Sequence, residues 1–196
     1  MKLRTKLFAL MTALVLLSSC TAAPGGGGGS ADEAKFSEIR QGLTAAAGIS
    51  FTAQIRADYG DKVLDYTLDC VVSNGETRLT VKSPELIAGV TATVKDGGAA
   101  LSFDGLVLDP AAVGDSAVTP LTAPALIVAA LREGHAANLR REKLDDLNVL
   151  VAEVLDTQNN TETFWLNPDT GALLRAEIAS GGRVIVTCTC EGWSVG

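Results

Sequence analysis

Histidine is nearly missing from this chain: His135 is the only one in 196 residues. Any Ser–His–Asp relay would have to run through that single ring. It follows Gly134 at an expected helix end, where a histidine serves as a favourable charge near the C-terminus rather than as a base. Cysteines are equally few, four in all, and with one histidine they offer too few soft ligands for a metal site. No metal or other cofactor is expected. Cations are outnumbered, 16 Lys and Arg against 23 Asp and Glu. Nucleic-acid binding requires a basic footprint and is excluded on that ground. No apolar run reaches the roughly 20 residues that a transmembrane helix requires, and no 20–50-residue repeat occurs. No enzyme constellation can be assembled. Asp145-Asp146 falls at a turn, and Glu153 and Glu177 alternate with apolar residues as solvent-facing strand positions do. Arg140, Arg141 and Lys143 suit a solvated strand edge better than a phosphate site. Asn159-Asn160-Thr161, a sequon in form, is explained by a turn.

The amino terminus is ordered in a different way. Lys2, Arg4 and Lys6 precede the apolar run Leu7–Leu17, then Ser18, Ser19 and Cys20. The length and flanks are those of a secretory signal. Leu17-Ser18-Ser19-Cys20 resembles the lipobox of bacterial lipoproteins. That resemblance implies a diacylglyceryl group on Cys20, cleavage before it, and acylation of the new terminus. Two or more chains hold a protein stably to a bilayer where one does not. The stretch after Cys20 has nothing large enough to pack, and Gly25–Gly29 has maximal backbone freedom. No strand precedes these glycines and no Gly-Lys-Ser/Thr follows, so a phosphate loop is excluded. The expected organisation is a signal peptide at 1–19, a lipidated cysteine and tether at 20–30, and one domain at 31–196. Cleavage removes three cations, leaving 13 against 23 carboxylates and a formal charge of −10. Broad adhesion to anionic lipid is disfavoured, so membrane contact should come through the anchor or through apolar surface.

Within the domain, Ser30 and Glu33 have capping-box spacing, and Phe36, Ile39 and Leu43 follow at helical spacing. Gly42 or Gly48 should end that helix. The period then becomes two. Strands are expected at 50–58, 62–73, 76–82, 90–95 and 99–103, with a short apolar stretch at 105–110. Asn74-Gly75 marks a hairpin, and Ser83-Pro84 interrupts the sheet. Thr122-Ala123-Pro124 should cap a helix running to about Arg132, closed by Gly134. Its body is apolar all round, so it must be covered on more than one side. Strands at 137–144, 147–156, 161–167, 172–179 and 183–191 complete the chain. About ten evenly spaced strands with few helices describe a strongly curved sheet or barrel. Cys70, Cys188 and Cys190 fall on apolar strand faces. Two arrangements fit them: three small buried hydrophobes, or one disulfide from Cys70 to a member of the pair.

The order of elements, with the hairpin FWLNPDTGALLRAEI at 164–178, resembles the lipoprotein carrier and receptor superfamily typified by LolA and LolB. The resemblance implies a mainly β fold: an unclosed antiparallel barrel whose concave apolar face is covered by helices and accepts lipid or lipoprotein acyl chains. The anchor sets this chain apart from the soluble carrier. Lipidated LolA-like proteins also occur in single-membrane bacteria, including spore-germination lipoproteins. The expected location is therefore extracytoplasmic, on the outer face of the cell membrane or on an outer membrane where two membranes exist.

The candidate acyl-chain pocket comprises Tyr66, Leu68 and Val72 with Leu126, Ile127 and Leu131, and Trp165 as a rim aromatic. Two functions fit this composition. One is a membrane-anchored binder of lipid or lipoprotein acyl chains. The other is a non-enzymatic lipoprotein with a filled core that binds another envelope protein.

Overall fold

A computed structural model describes residues 29–95, 98–103, 106–108, 118–155 and 161–196. Cys20 and most of the expected tether lie outside the described residues. Helix α1, Gly29–Ala45, is followed by strands β1 (Gly48–Asp58), β2 (Val63–Ser73) and β3 (Glu76–Ser83). A single 3-10 turn, Glu85–Ile87, leads to β4 (Thr91–Lys95), β5 (Gly98–Phe103) and β6 (Leu106–Leu108). Helix α2, Ala123–Glu133, precedes β7 (His135–Leu144), β8 (Leu147–Leu155), β9 (Thr161–Leu166), β10 (Leu173–Ser180) and β11 (Arg183–Val195).

The strands form one 11-stranded sheet in the order β6-β5-β4-β3-β2-β1-β11-β10-β9-β8-β7. It consists of two antiparallel meanders joined where β1 pairs with β11. β6 and β7 remain as its two edges, so the sheet does not close into a barrel. The hairpins form where the turn chemistry demands. Asn74 and Gly75 both have positive φ (53° and 73°), the requirement of the two-residue primed turn.

Alternation of side chains places one apolar set on the inner face. Phe51, Ala53 and Ile55 of β1 join Leu68, Cys70 and Val72 of β2, and Phe164 and Leu166 of β9, in one core cluster. The helices supply the cover. Phe36, Ile39 and Leu43 of α1, and Ile127, Val128 and Leu131 of α2, are buried in the same cluster. The two helices also clasp one another by reciprocal bonds. Arg40 Nε donates to the Leu131 carbonyl at 2.9 Å, and Arg132 Nε donates to the Leu43 carbonyl at 3.0 Å. Each guanidinium thus satisfies a carbonyl in the last turns of the other helix, where intrahelical partners run out.

Three local expectations are corrected. Helix α1 begins at Gly29, so Ser30 lies within it rather than capping it. Its first turn is fixed by tertiary contact, the Arg141 guanidinium reaching the buried Asp32 at 2.7 Å. Gly42 does not end α1, which runs to Ala45. Gly134 does close α2, but in extended backbone at φ −65° rather than in a left-handed turn. What requires glycine there is contact: an added Cβ would overlap Val154 Cγ1 and come within 2.7 Å of the Ala130 carbonyl.

Candidate functional site

Tyr66, Leu68 and Val72 share the inner face of β2, as the alternation of residues 64–72 implies. Leu68 and Val72 are buried in the core cluster with Ile127 and Leu131. Tyr66 and Leu126 are half-buried and pack against that cluster from its margin. Trp165 is not part of this set. It follows Phe164 and precedes Leu166, both inner-facing, so its own side chain projects from the outer face. There its indole N–H donates to Glu142 at 3.1 Å and the Arg175 guanidinium lies 5.1 Å over the ring. The rim-aromatic expectation is corrected accordingly.

The outer face around Trp165 is a small second core. Val149 and Val151 of β8 are completely buried although they point away from the helices. Val151 pairs with Trp165 on one side and with Arg140 on the other. Arg140 bonds both Glu142 and Glu153, and Arg175 bonds Glu177. The Arg140 side chain, then the Trp165 indole, hold the Glu142 carboxyl below its ordinary range. Arg140, expected at a solvated strand edge, belongs to this lattice, and Arg141 turns inward to Asp32.

The inner face is not covered evenly. The interior rows are closed: Leu68, Leu79, Ile127, Leu150, Phe164 and Leu173 have no exposed surface. At one end of the sheet the cover thins. Tyr59, Leu64, Tyr66, Ile87, Val90, Val118, Leu121 and Leu126 are only partly buried against the cluster. The register explains the grouping. Leu64 and Tyr66 open β2, Ile87 and Val90 follow β3, and Ser83 pairs with Thr67. The lead into α2 is tied to the same end by a 3.0 Å bond from the Tyr59 hydroxyl to the Val118 carbonyl. Burial, then the nearby Tyr66, raise the Tyr59 pKa. Thr119 and Thr122 exchange hydrogen bonds that set the helix start: Thr122 N to Thr119 Oγ1 at 3.2 Å and Thr119 N to Thr122 Oγ1 at 2.8 Å. Leu86 stands on this rim with 94% of its surface exposed. This end is a half-covered apolar margin, and Tyr66 and Leu126 are the candidates that border it.

One acidic residue lies on the inner face among these apolar rows. Glu162 is only 2% exposed. It pairs with Val154 of β8 and Ile178 of β10. It was not among the candidate residues, because a carboxylate in a strand is ordinarily a solvent-facing position. The signal that marks it is its shared parity with Phe164 and Leu166 in Thr-Glu-Thr-Phe-Trp-Leu.

The three cysteines of the domain are buried and unbridged. Cys188 and Cys190 Sγ lie 3.7 Å apart. Burial, then the neighbouring Cys188 and Asp69, push the Cys70 thiol far up; the Cys188 contact, then burial, do the same to Cys190. His135 is exposed at the start of β7. A groove of about 530 Å³ on the outer face includes Tyr66, with Gln54, Arg56, Asp65, Thr67, Arg175, Thr187 and Thr189 along it.

No protein-family model and no curated protein matches this sequence. Solved structures do. An uncharacterized conserved protein from Thermus thermophilus is 8% identical with a TM-score of 0.50, covering 85% of this chain and 88% of its own. A LolA superfamily protein from Nitrosomonas europaea is 11% identical with a TM-score of 0.44, over 84% and 93% of the two chains. The lipoprotein LppX of Mycobacterium tuberculosis is 17% identical with a TM-score of 0.45, over 83% and 96%. At such identities the likeness is one of fold alone. The fold of this domain is an unclosed antiparallel sheet with two helices over its inner face.

Proposed function

We propose that this protein is a membrane-anchored extracytoplasmic lipoprotein whose domain takes up lipid or lipoprotein acyl chains at the apolar mouth of its sheet. The observation that carries the reading is the group of half-covered apolar side chains at one end of the inner face, Leu64, Tyr66, Leu121 and Leu126 among them. A chain entering there would slide between the opening of β2 and the first turns of α2. Each methylene buried contributes about 0.8 kcal/mol relative to water. The chain leaves one apolar phase for another, so the net gain is small and exchange is reversible. Lipid on Cys20 would keep the mouth near the bilayer, and the exposed Leu86 gives its rim an apolar contact with the membrane. No catalytic step is assigned.

The test is in two parts. Cys20→Ala should release the protein from the membrane fraction or leave an uncleaved precursor; unchanged retention and processing would remove the anchor. A fluorescent monoacylglycerol should bind the mature protein and be displaced by unlabelled acyl lipid. Absence of any displaceable binding would remove the acyl-chain reading.

A second reading has its own observation. The inner rows around Ile127, Leu131 and Phe164 are closed without any ligand. A domain filled in this way would act as a binding module for another envelope protein. In that case the monoacylglycerol fails to bind while a specific envelope protein co-purifies.

A further inference from the structure

We infer that a groove on the outer face of the sheet, at the β7–β8 turn, is a docking site for a basic, apolar polypeptide segment of another protein. The inference is separate from the acyl-chain reading and holds whether the interior is filled or open. The groove measures about 510 Å³ and has Leu144, Leu147 and Leu174 along it, with Asp145 and Asp146 of the turn and Thr189 of β11. Alternation places it on the outer face. Leu144 shares its side of β7 with Arg140 and Glu142, and Leu147 shares its side of β8 with Val149 and Val151. Leu144 and Leu147 pair directly, and Leu174 sits where the β9–β10 register slips. Leu144 and Leu174 are half-buried and Leu147 is 37% exposed. Pairing carries Val154, near the other end of β8, through Glu162, Ile178, Val186 and Ala57 to Leu64. The β7–β8 turn and the proposed mouth therefore lie at opposite ends of the strands. An exposed apolar patch rimmed by polar groups is the form of a protein-binding surface.

Charge identifies the occupant. Asp145 and Asp146 are adjacent and exposed, and among the described residues no lysine or arginine pairs with either. Arg140 is committed to Glu142 and Glu153, and Arg175 to Glu177. Lys143 adjoins the turn but shares the parity of Arg141, which turns inward to Asp32. Adjacent carboxylates repel, and a two-residue turn needs no charge, as Asn74-Gly75 shows. A lysine or arginine beside an apolar side chain seated in the groove would relieve that repulsion. This chain does not supply the cation. Apart from the expected signal at 1–19, its segments outside the described residues contain no lysine or arginine. A second copy is disfavoured, since from Cys20 onward 13 cations face 23 carboxylates. The same excess steers a basic partner toward the protein. The occupant is therefore a different polypeptide.

The test uses the full-length chain in a non-ionic detergent and two fluorescent eight-residue peptides, one alternating leucine with lysine and one alternating leucine with serine. Each carries one photoactivatable leucine. Fluorescence anisotropy should show the leucine–lysine peptide binding about fivefold more tightly than the leucine–serine peptide. Its cross-links should fall on the fragments that contain Leu147 or Leu174. Asp145→Asn combined with Asp146→Asn should bring the two peptides close to equal; asparagine accepts the positive φ of position 145, as it does at position 74. Leu147→Ser, at an exposed position, should weaken both peptides by about fivefold. Equal binding of the two peptides to the wild type, or no binding of either, overturns the inference without reliance on any variant. Leucine–lysine binding that survives Leu147→Ser unchanged, or cross-links on other fragments, also overturns it, since the attraction is then a general one to an acidic protein. A wild-type dimer that Leu147→Ser dissolves assigns the groove to a second copy and overturns it as well. None of these outcomes bears on the acyl-chain reading, which the monoacylglycerol titration tests separately.

Discussion

Two tryptophan substitutions one residue apart in α2 separate a filled interior from an open margin. Ile127 has no exposed surface and packs with Val128 and Leu131 in the core cluster. With the site packed on all sides in this way, Ile127→Trp must push neighbours off their positions. Overpacking of this kind costs about 1–3 kcal/mol. For a domain of this length, 1 kcal/mol moves the melting temperature by about 2–4 °C, so a fall of about 2–12 °C is expected. Leu126 is half-buried on the mouth side. A tryptophan there has an open margin to occupy, and the cost should stay within about 1 kcal/mol. The same ring would obstruct the entry between α2 and β2, so Leu126→Trp should weaken monoacylglycerol binding by at least about tenfold. Thermal melts and fluorescent-lipid titrations of the two variants read these effects separately. An Ile127→Trp protein melting within about 1 °C of wild type would show unfilled space beside α2. A Leu126→Trp protein with wild-type lipid affinity would show that the mouth is not where the chain enters.

Other expectations follow from the same packing. Cys70, Cys188 and Cys190 should resist a thiol reagent in the folded protein and react fully in denaturant, because all three are buried and the Cys70 and Cys190 thiols are also pushed up; rapid labelling of the native domain would contradict this. Gly134→Ala should cost about 1–3 kcal/mol, since the new methyl group collides with Val154 and the end of α2; a chemical-denaturation midpoint unchanged from wild type would refute it. The folded pKa of Glu142 is depressed below its unfolded value, so its contribution is present above the ordinary carboxylate range and is lost as pH falls through the folded value. Trp165 emission should therefore change on acidification below about pH 4.5, the shift vanishing in Glu142→Gln; an identical acid transition in that variant would place the titrating group elsewhere.

The strands were legible because alternation is a local property. In β2, Leu64, Tyr66, Leu68, Cys70 and Val72 face one way in the chain and in the fold. Asn74-Gly75 fixed its turn for the same reason: the required backbone angles are those of two adjacent residues. What the chain concealed depended on distant partners. The start of α1 is set by an arginine 109 positions away. Gly134 is required by Val154 across a strand, not by its own dihedral angle. Trp165 belongs to a set of outer-face contacts that no local pattern announces, although its alternation with Phe164 and Leu166 fixed its side of the sheet. Glu162 illustrates the opposite failing: its parity was readable, but a carboxylate in a strand is read as solvent-facing unless its phase is checked.

The central claim is that the mouth of this sheet holds an acyl chain. Native mass spectrometry of the protein, produced in its own membrane and released gently from it, tests that claim most directly. The protein should appear with an added mass equal to one acyl lipid beyond any lipid carried on Cys20, and Leu126→Trp should remove it. A bare mass for the wild type under conditions that preserve a known lipid-binding control, with another envelope protein in stoichiometric association, would contradict the claim and assign this domain to protein recognition.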